Sequence, residues 1–187
     1  VSNKVATARA DIDKVRRRLD AEQPDWEAQH LTAAAAAPFW RGGFWESPQF
    51  GAKDAGEAFA AVRPPEMQML RSVQAIDAPG NGWTVLPDRR HADSIQFPKT
   101  GAAARYLYHP VYANHPCKVE LRVTADDGPK AWQNGQLVYA QHQVTENPDI
   151  YLKEITLDEG LNLFLFKPVN KGGAYHFHVL FHYQGDE

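Results

Sequence analysis

Several features that often reveal function are missing from this chain of 187 residues. Cys117 is the only cysteine, which excludes an internal disulfide, a zinc cluster of cysteines and a Cys-x-x-Cys-His haem attachment. No apolar stretch approaches the roughly 18 residues that a membrane-spanning helix needs. The only basic run is Arg16-Arg17-Arg18 and the net charge is -3, so the composition does not favour a nucleic-acid partner.

Patterns typical of catalytic sites are also missing. There is no Gly-x-Ser-x-Gly motif, and Gly172-Gly173 lies between predicted strands rather than ahead of a helix, as a phosphate loop would. A glycosidase needs two carboxylates across a cleft, and the adjacent Asp126 and Asp127 do not form such a pair. Cys117 begins a predicted strand, where a structural thiol is favoured over a nucleophile. We predict that the chain is not an enzyme. A hydrolase is a weaker hypothesis than either a binding module or a structural subunit.

The chain begins with Val1 and has no leader in which basic residues precede an apolar run. We therefore expect a processed product or a piece of a larger protein.

One helical pattern is present, between residues 3 and 31. Its apolar positions step by alternating intervals of three and four, a heptad pattern with one polar member. These positions are Val5, Ala8, Ile12, Val15, Leu19, Glu22 and Trp26. With the small-residue joint that ends at Ala37, this stretch is the predicted N-terminal helical segment, 1–37. The helix either lies on its own domain or pairs with a helix of a larger assembly.

After Trp83 the sequence indicates strands. They are predicted at 82–87, 93–97, 104–113, 117–125, 129–133, 136–142, 150–157, 161–168 and 174–183. Turn signals such as Asp127-Gly128 and Asn134-Gly135 separate them. Many short strands without helical periods between them are typical of an antiparallel β-sandwich or jelly roll. The predicted fold class is therefore mainly β, with the sandwich at 38–187 and an N-terminal α-helical segment.

Asp126 and Asp127 are the first candidate site. Calcium takes about six to eight oxygen ligands, and a turn with two carboxylates and backbone carbonyls supplies several of them. Asn134, Asp149 or Asn170 would add more if their loops lie at the same end of the sandwich. The alternative is structural, because Asp and Gly suit a hairpin turn and Asp side chains bond their own turn amides.

Tryptophans are the second kind of candidate, because an exposed ring can stack on a sugar. The candidates are Trp40, Trp45, Trp83 and Trp132, the last in a short predicted strand where burial in the core is favoured. The predicted ligand-binding residues are Asp126, Asp127, Trp132 and Asn134, with the two aspartates as calcium ligands.

Histidines are the third kind of candidate. His176, His178 and His182 share one face of the last predicted strand, and a His-x-His pair has a metal-ligand spacing. His176 and His178 are thus weaker candidate metal ligands. The alternative is a solvated sheet face or a contact with another chain. His109 and His115 are interpreted as strand-end residues.

The stretch DDGPKAWQNGQLV, from Asp126 to Val138, resembles a family pattern, DDGxKxWxNGxxV, of protective-antigen-type and related carbohydrate-binding-like β-sandwiches. A closer resemblance is to a sandwich module of large secreted bacterial proteins that carry haem-c domains and domains of unknown function. Counterparts of its other motifs follow in order: Trp40 to Phe44, Pro64-Pro65-Glu66, Tyr106-Leu107-Tyr108, Leu157 to Asn162 and Gly173 to Phe177. The chain departs from the module at Ala125, Gln133 and His109, where serine, leucine and arginine are usual.

The resemblance implies a non-catalytic binding or assembly module of a larger extracytoplasmic bacterial protein, in the periplasm or outside the cell. Its expected partners are other domains or subunits and a glycan. Calcium, which the aspartate turn suggests, is the one expected cofactor. The alternative is a structural subunit of a multi-chain, redox-linked complex that uses the N-terminal helix as its contact.

Overall fold

The computed structural model describes residues 38–86, 95–142 and 149–183, with the side chains of 149–151 left aside. The predicted N-terminal helix and the boundary after residue 37 lie outside the described residues and stay predictions. The first elements are β1 (Phe39–Arg41), β2 (Phe44–Glu46), β3 (Phe50–Gly51), α1 (Ala55–Ala60), α2 (Pro64–Gln68), α3 (Val73–Ile76) and β4 (Thr84–Leu86). The others are β5 (Ile95–Thr100), β6 (Ala103–Ala104), β7 (Leu107–Ala113), β8 (Cys117–Ala125), β9 (Pro129–Gln133), β10 (Gln136–Ala140), β11 (Asp149–Leu157), β12 (Gly160–Asn170) and β13 (Gly173–Tyr183).

The strands form two antiparallel sheets. The larger sheet has the order β10-β9-β12-β7-β2-β4, and β1, β3 and β6 pair off this path. The smaller sheet has the order β11-β8-β13-β5. The prediction of a mainly β, antiparallel sandwich is confirmed.

The main core lies between the two sheets. Buried and partly exposed residues alternate in β13 from Tyr175 to Phe181, as they do along β8, so each of these strands turns one apolar face inward. Rings from the two sheets meet there: the centroids of Phe164 and Phe181 are 4.9 Å apart, and those of Phe166 and Phe177 are 5.3 Å apart. Burial of large rings contributes a few kcal/mol each and holds the sheets together.

A second layer covers the outward face of the larger sheet. We call residues 52–83, which contain the three short helices, the covering layer. The buried side chains of the cluster that it shares with the sheet are Trp45, Ile76, Tyr106, Tyr108, Trp132, Leu163 and Leu165. Strand β12 is consequently buried on both faces, and its sequence LNLFLFKPVN is apolar almost throughout instead of alternating.

The helices of the covering layer are short because each begins at a local signal and soon ends. Asp54 and Ser72 cap α1 and α3, and each side chain accepts the backbone N–H three residues on. Pro64 and Pro65 begin α2, where a missing N–H costs nothing. None of the described helices has the length and apolar character needed to span a membrane.

Candidate functional site

The two adjacent aspartates lie at one end of the sandwich, in the turn that joins β8 to β9. Gly128 completes this turn with a φ of 101°, a conformation that favours glycine. Two other segments reach the same end. The N–H of Lys171, in the β12–β13 turn, donates to Asp127 Oδ2 at 2.6 Å, and the backbone of Asp149 pairs with the last residue of β8.

The β8–β9 turn is not the simple hairpin turn that Asp127-Gly128 also suggests, in which the Asp side chains bond amides of their own turn. Strand β8 belongs to the smaller sheet and β9 to the larger one, so the turn crosses between the sheets. Asp127 Oδ2 bonds the amide of Lys171, which lies in a different turn, 44 residues further along the chain. The Asp127 side chain therefore joins two loops.

Asp127 combines deep burial with an unused acceptor. The residue is 1% exposed, and its Oδ1 has no hydrogen-bond partner among the described residues. A buried polar atom without a partner carries a desolvation cost, and buried charges in proteins are paired or bind metal ions. This carboxylate oxygen fits a cation-binding role.

Asp126 lies beside Asp127 and close to His176. Partial burial raises the pKa of the Asp126 carboxyl above its ordinary value, and the neighbouring charge of Asp127 adds to the rise. The charge and backbone N–H of His176, together with the charge of Lys171, oppose it. The two carboxylates therefore repel each other in partly desolvated surroundings, an electrostatic arrangement that a divalent cation would relieve.

Asn170, the last residue of β12, is one of the three residues considered as additional oxygen donors. It is buried at the aspartate end, but both of its side-chain polar atoms are engaged in its own turn. Its Oδ1 accepts the N–H of Gly172 and its Nδ2 donates to the carbonyl of Gly173, each at 3.1 Å. Asn170 therefore shapes the loop that contacts Asp127.

Asn134 lies elsewhere, at the far end of β9. With Gly135 it forms the two-residue turn of the β9–β10 hairpin, where both residues have positive φ. Its Oδ1 accepts the N–H of Leu163 at 2.9 Å, and its own N–H donates to the carbonyl of Leu163 at 2.9 Å. The side chain braces this hairpin against β12.

Three of the four tryptophan candidates lie in or against the cluster beneath the covering layer. Trp132 is 6% exposed and Trp45 is also buried there, while the partly buried Trp83 packs on Tyr108 with ring centroids 4.8 Å apart. Trp40, on β1, is 43% exposed. Among the described residues, Trp40 is therefore the tryptophan most accessible to a stacking ligand.

The histidines of β13 lie on the outward face of the smaller sheet, as their alternation predicts. His176 and His178 are partly exposed; His176 lies near Asp126, and His178 pairs with Thr124 on the neighbouring strand. Within residues 38–86, 95–142 and 149–183, no group of three or more His, Cys, Asp or Glu side chains is arranged to hold a metal ion. The assignment of His176 and His178 as metal ligands stays a prediction.

His109 lies inside β7 rather than at its end, so the interpretation as a strand-end residue is wrong. It is fully buried and stacks on Phe44, with ring centroids 4.1 Å apart. Phe181 also packs against the imidazole, with ring centroids 5.8 Å apart, and His109 Nδ1 lies 3.4 Å from the carbonyl oxygen of Gly43. His115 is exposed in the turn before β8, and Cys117 is buried at the start of that strand.

Sequence reasoning missed a buried charged cluster centred on Lys167. Its Nζ donates to the carbonyls of Phe59 and Ala61 at 3.0 and 2.7 Å, and to Glu66 Oε1 at 2.8 Å. The hydroxyl of Tyr106 donates to the same Glu66 oxygen. Burial lowers the pKa of Lys167 although Glu66 opposes this, and burial also raises the pKa of Tyr106. All of the Lys167 acceptors belong to the covering layer, so the cluster fastens that layer to the sheet.

No protein-family model and no curated protein matches the chain. Among solved structures, it is similar to the PA14 sugar-binding domain of an RTX adhesin, with 13% identity over 78% of this chain and 92% of that chain and a TM-score of 0.45. It is also similar to the PA14 domain of the MpAFP antifreeze protein, with 15% identity over 80% and 85% of the two chains and a TM-score of 0.41. A β-glucosidase from Kluyveromyces marxianus in complex with glucose gives 9% identity over 73% of this chain and a TM-score of 0.43. The chain spans only 16% of the length of that β-glucosidase.

Proposed function

We propose that the chain is a non-catalytic, carbohydrate-binding-like module whose ligand site is the turn with Asp126 and Asp127. The observation that carries the proposal is the buried Oδ1 of Asp127, which no described residue satisfies. The order of sequence motifs from Trp40 to Phe177 also supports a binding module, because it resembles the order in carbohydrate-binding-like modules.

Calcium is the proposed cation at this turn. The two carboxylates supply hard oxygen ligands, and Ca²⁺ takes about six to eight of them in flexible geometry. The remaining ligands would be backbone carbonyls, water and neighbouring hydroxyl groups of a sugar, which are also uncharged oxygen donors. The cation offsets the repulsion between the carboxylates and links the protein to a ligand without charge.

Trp132 and Asn134 support this site indirectly in the proposal. Both belong to the β9 region that follows the aspartate turn. Trp132 fills the cluster under the covering layer, and Asn134 accepts a hydrogen bond from Leu163. Their contribution is to fix the strand that leaves the site. Trp40, which is exposed on β1, is the tryptophan proposed to stack on a sugar.

The proposed setting is a larger extracytoplasmic protein of a bacterium, in the periplasm or outside the cell. Other domains or subunits of that protein are the proposed partners. This part of the proposal rests on the sequence resemblance.

Glycan binding measured with and without a chelator tests the proposal. We expect wild-type protein to bind at least one glycan on an array, and both EDTA and Asp127→Ala to abolish that binding. Asp158→Ala is the matched control, because Asp158 is an exposed turn aspartate ahead of β12. Absence of glycan binding together with no effect of calcium on stability would contradict the proposal.

A structural or assembly role is the second candidate, and the heptad pattern of residues 3–31 favours it. It predicts that deletion of residues 1–31 releases the chain from its native complex. An intact complex after this deletion, together with a monomeric isolated chain, would contradict it.

A further inference from the structure

We propose that Asn170 is a positioning residue for the aspartate site: it fixes the β12–β13 turn so that the N–H of Lys171 orients the carboxylate of Asp127. This inference rests on the proposed function of Asp127 as a cation ligand. It assigns no direct ligand contact to Asn170.

The β12–β13 turn needs a brace because strand pairing does not supply one. Strand β12 belongs to the larger sheet and β13 to the smaller one, so the two strands that flank the turn are not paired with each other. The pairing of β13 with β5 is also irregular between Gly173 and Tyr175. The ladder hydrogen bonds that hold an ordinary hairpin are therefore replaced here by other contacts.

The Asn170 side chain takes over this bracing. It spans the turn from both sides, with Oδ1 on the N–H of Gly172 and Nδ2 on the carbonyl of Gly173. Gly172 and Gly173 have φ of 150° and 96°, which a side chain at either position would strain. Because Asn170 is buried, water cannot readily replace these hydrogen bonds if the side chain is removed.

The braced turn fixes the carboxylate through one short hydrogen bond. The N–H of Lys171, the residue directly after Asn170, lies 2.6 Å from Asp127 Oδ2. With Oδ2 held in this way, rotation of the carboxylate is restricted and Oδ1 is left for a ligand. Removal of a group that orients a metal ligand from behind typically weakens metal binding by about 10- to 100-fold.

Asn162 offers a matched comparison on the same strand. It is buried near the start of β12, its Oδ1 accepts the N–H of Asp158 at 2.9 Å and its Nδ2 donates to the carbonyl of Asp158 at 2.7 Å. The turn that it braces also crosses between the sheets, from β11 to β12. Asn162 thus has the same structural task near the start of β12, eight residues before Asn170 at the aspartate end.

The test compares Asn170→Ala with Asn162→Ala in three measurements: melting temperature in EDTA, hydrogen exchange of the Lys171 amide in EDTA, and Ca²⁺ affinity by calorimetry. Both variants should melt at lower temperature. Only Asn170→Ala should speed Lys171 exchange, by about tenfold for the loss of one hydrogen bond. Only Asn170→Ala should also weaken Ca²⁺ binding, by about 10- to 100-fold.

Equal effects of the two variants on Lys171 exchange, or no effect of Asn170→Ala on it, would overturn the inference. If wild-type protein binds no Ca²⁺, the proposed cation site fails, and Lys171 exchange alone then decides whether Asn170 positions the carboxylate. If Asn170→Ala does not fold, Asn170→Ser, which keeps one polar group, is measured instead. We expect it to change exchange and affinity in the same direction, and unchanged values would count against the inference.

Discussion

Lys167 illustrates how one buried charge can hold two layers of a protein together. Its ammonium group has no contact with solvent, and its three described hydrogen bonds all reach the covering layer. Glu66 is the only one of these acceptors with a negative charge, and it also accepts a hydrogen bond from the Tyr106 hydroxyl. The attachment of the covering layer therefore depends strongly on the carboxylate of Glu66.

Replacement of Glu66 by glutamine should strongly destabilise the protein. The change keeps the shape of the side chain but leaves the Lys167 ammonium buried without a countercharge, at a cost of about 3 kcal/mol. Urea unfolding at neutral pH measures the loss. The control is Glu57→Gln on the exposed side of α1, which should change the free energy of unfolding by less than about 1 kcal/mol. Similar losses for both variants would contradict the role of Glu66.

The raised pKa of Asp126 predicts a pH dependence of stability. Because of burial, the folded protein holds the proton of the Asp126 carboxyl more tightly than the unfolded chain does. Unfolding therefore releases this proton at pH values above 3.8, the ordinary pKa of an aspartate. The contribution of Asp126 to stability is thus present below pH 3.8 and is lost as the pH rises through the pKa that Asp126 has in the folded protein.

Asp126→Asn removes this titration. In urea unfolding with EDTA, the variant should gain stability relative to wild type as the pH rises from 3.8 towards neutrality. A difference between the two proteins that stays constant over this range, or that changes in the opposite sense, would contradict the assignment.

At the scale of elements, the long strands were predictable, and the short strands and helices before β4 were not. The bounds of β8 and β9 agree with the predicted 117–125 and 129–133, because turn residues flank β9 and alternation marks β8. Strands β1 to β3 have two or three residues and helices α1 to α3 have four to six. Segments of this length contain too few residues to establish a period.

Two turns with similar composition have different roles, and their sequences do not distinguish them. Asn134-Gly135 closes a hairpin within the larger sheet, as its composition predicts. Asp127-Gly128 instead links the two sheets. Which sheet a strand joins depends on packing with distant strands, so local turn chemistry cannot reveal it.

The covering layer predicts losses of stability of different size for two of the tryptophan candidates. Trp132→Ala should cost about 3–5 kcal/mol in the free energy of unfolding, because it opens a cavity beneath the layer. Trp40→Ala should cost much less, since that ring is exposed on β1. Urea unfolding of both variants measures the difference. Equal losses would mean that Trp132 is not a core residue.

At the scale of the whole molecule, packing decides which surfaces remain for a ligand. The covering layer buries the outward face of the larger sheet, including Trp45 and Trp132. Among the described residues, side chains on the outward face of the smaller sheet, such as those of His176 and His182, are partly exposed or exposed. The candidate aspartate site lies at one end of the sandwich, where the β8–β9 and β12–β13 turns cross between the sheets and meet.

The sequence predicts the aspartate pair as a candidate site, but it does not predict the residues that surround the pair. Trp132 and Asn134 follow Asp127 closely in sequence, yet an extended strand advances about 3.3 Å per residue and carries them away from the turn. Lys171 and Asn170, far along the chain, come close to Asp127 instead. Contacts of this kind depend on the strand order, which residue patterns do not specify.

Thermal unfolding with Ca²⁺ and with EDTA shows whether the Asp126–Asp127 turn binds a cation. At a Ca²⁺ concentration 100 times the dissociation constant, binding adds about 2.7 kcal/mol, which corresponds to a rise of roughly 5–10 °C in the melting temperature of wild-type protein. Asp127→Asn should melt at the same temperature in both solutions. A wild-type melting temperature that Ca²⁺ does not change, or an equal rise in Asp127→Asn, would contradict the claim.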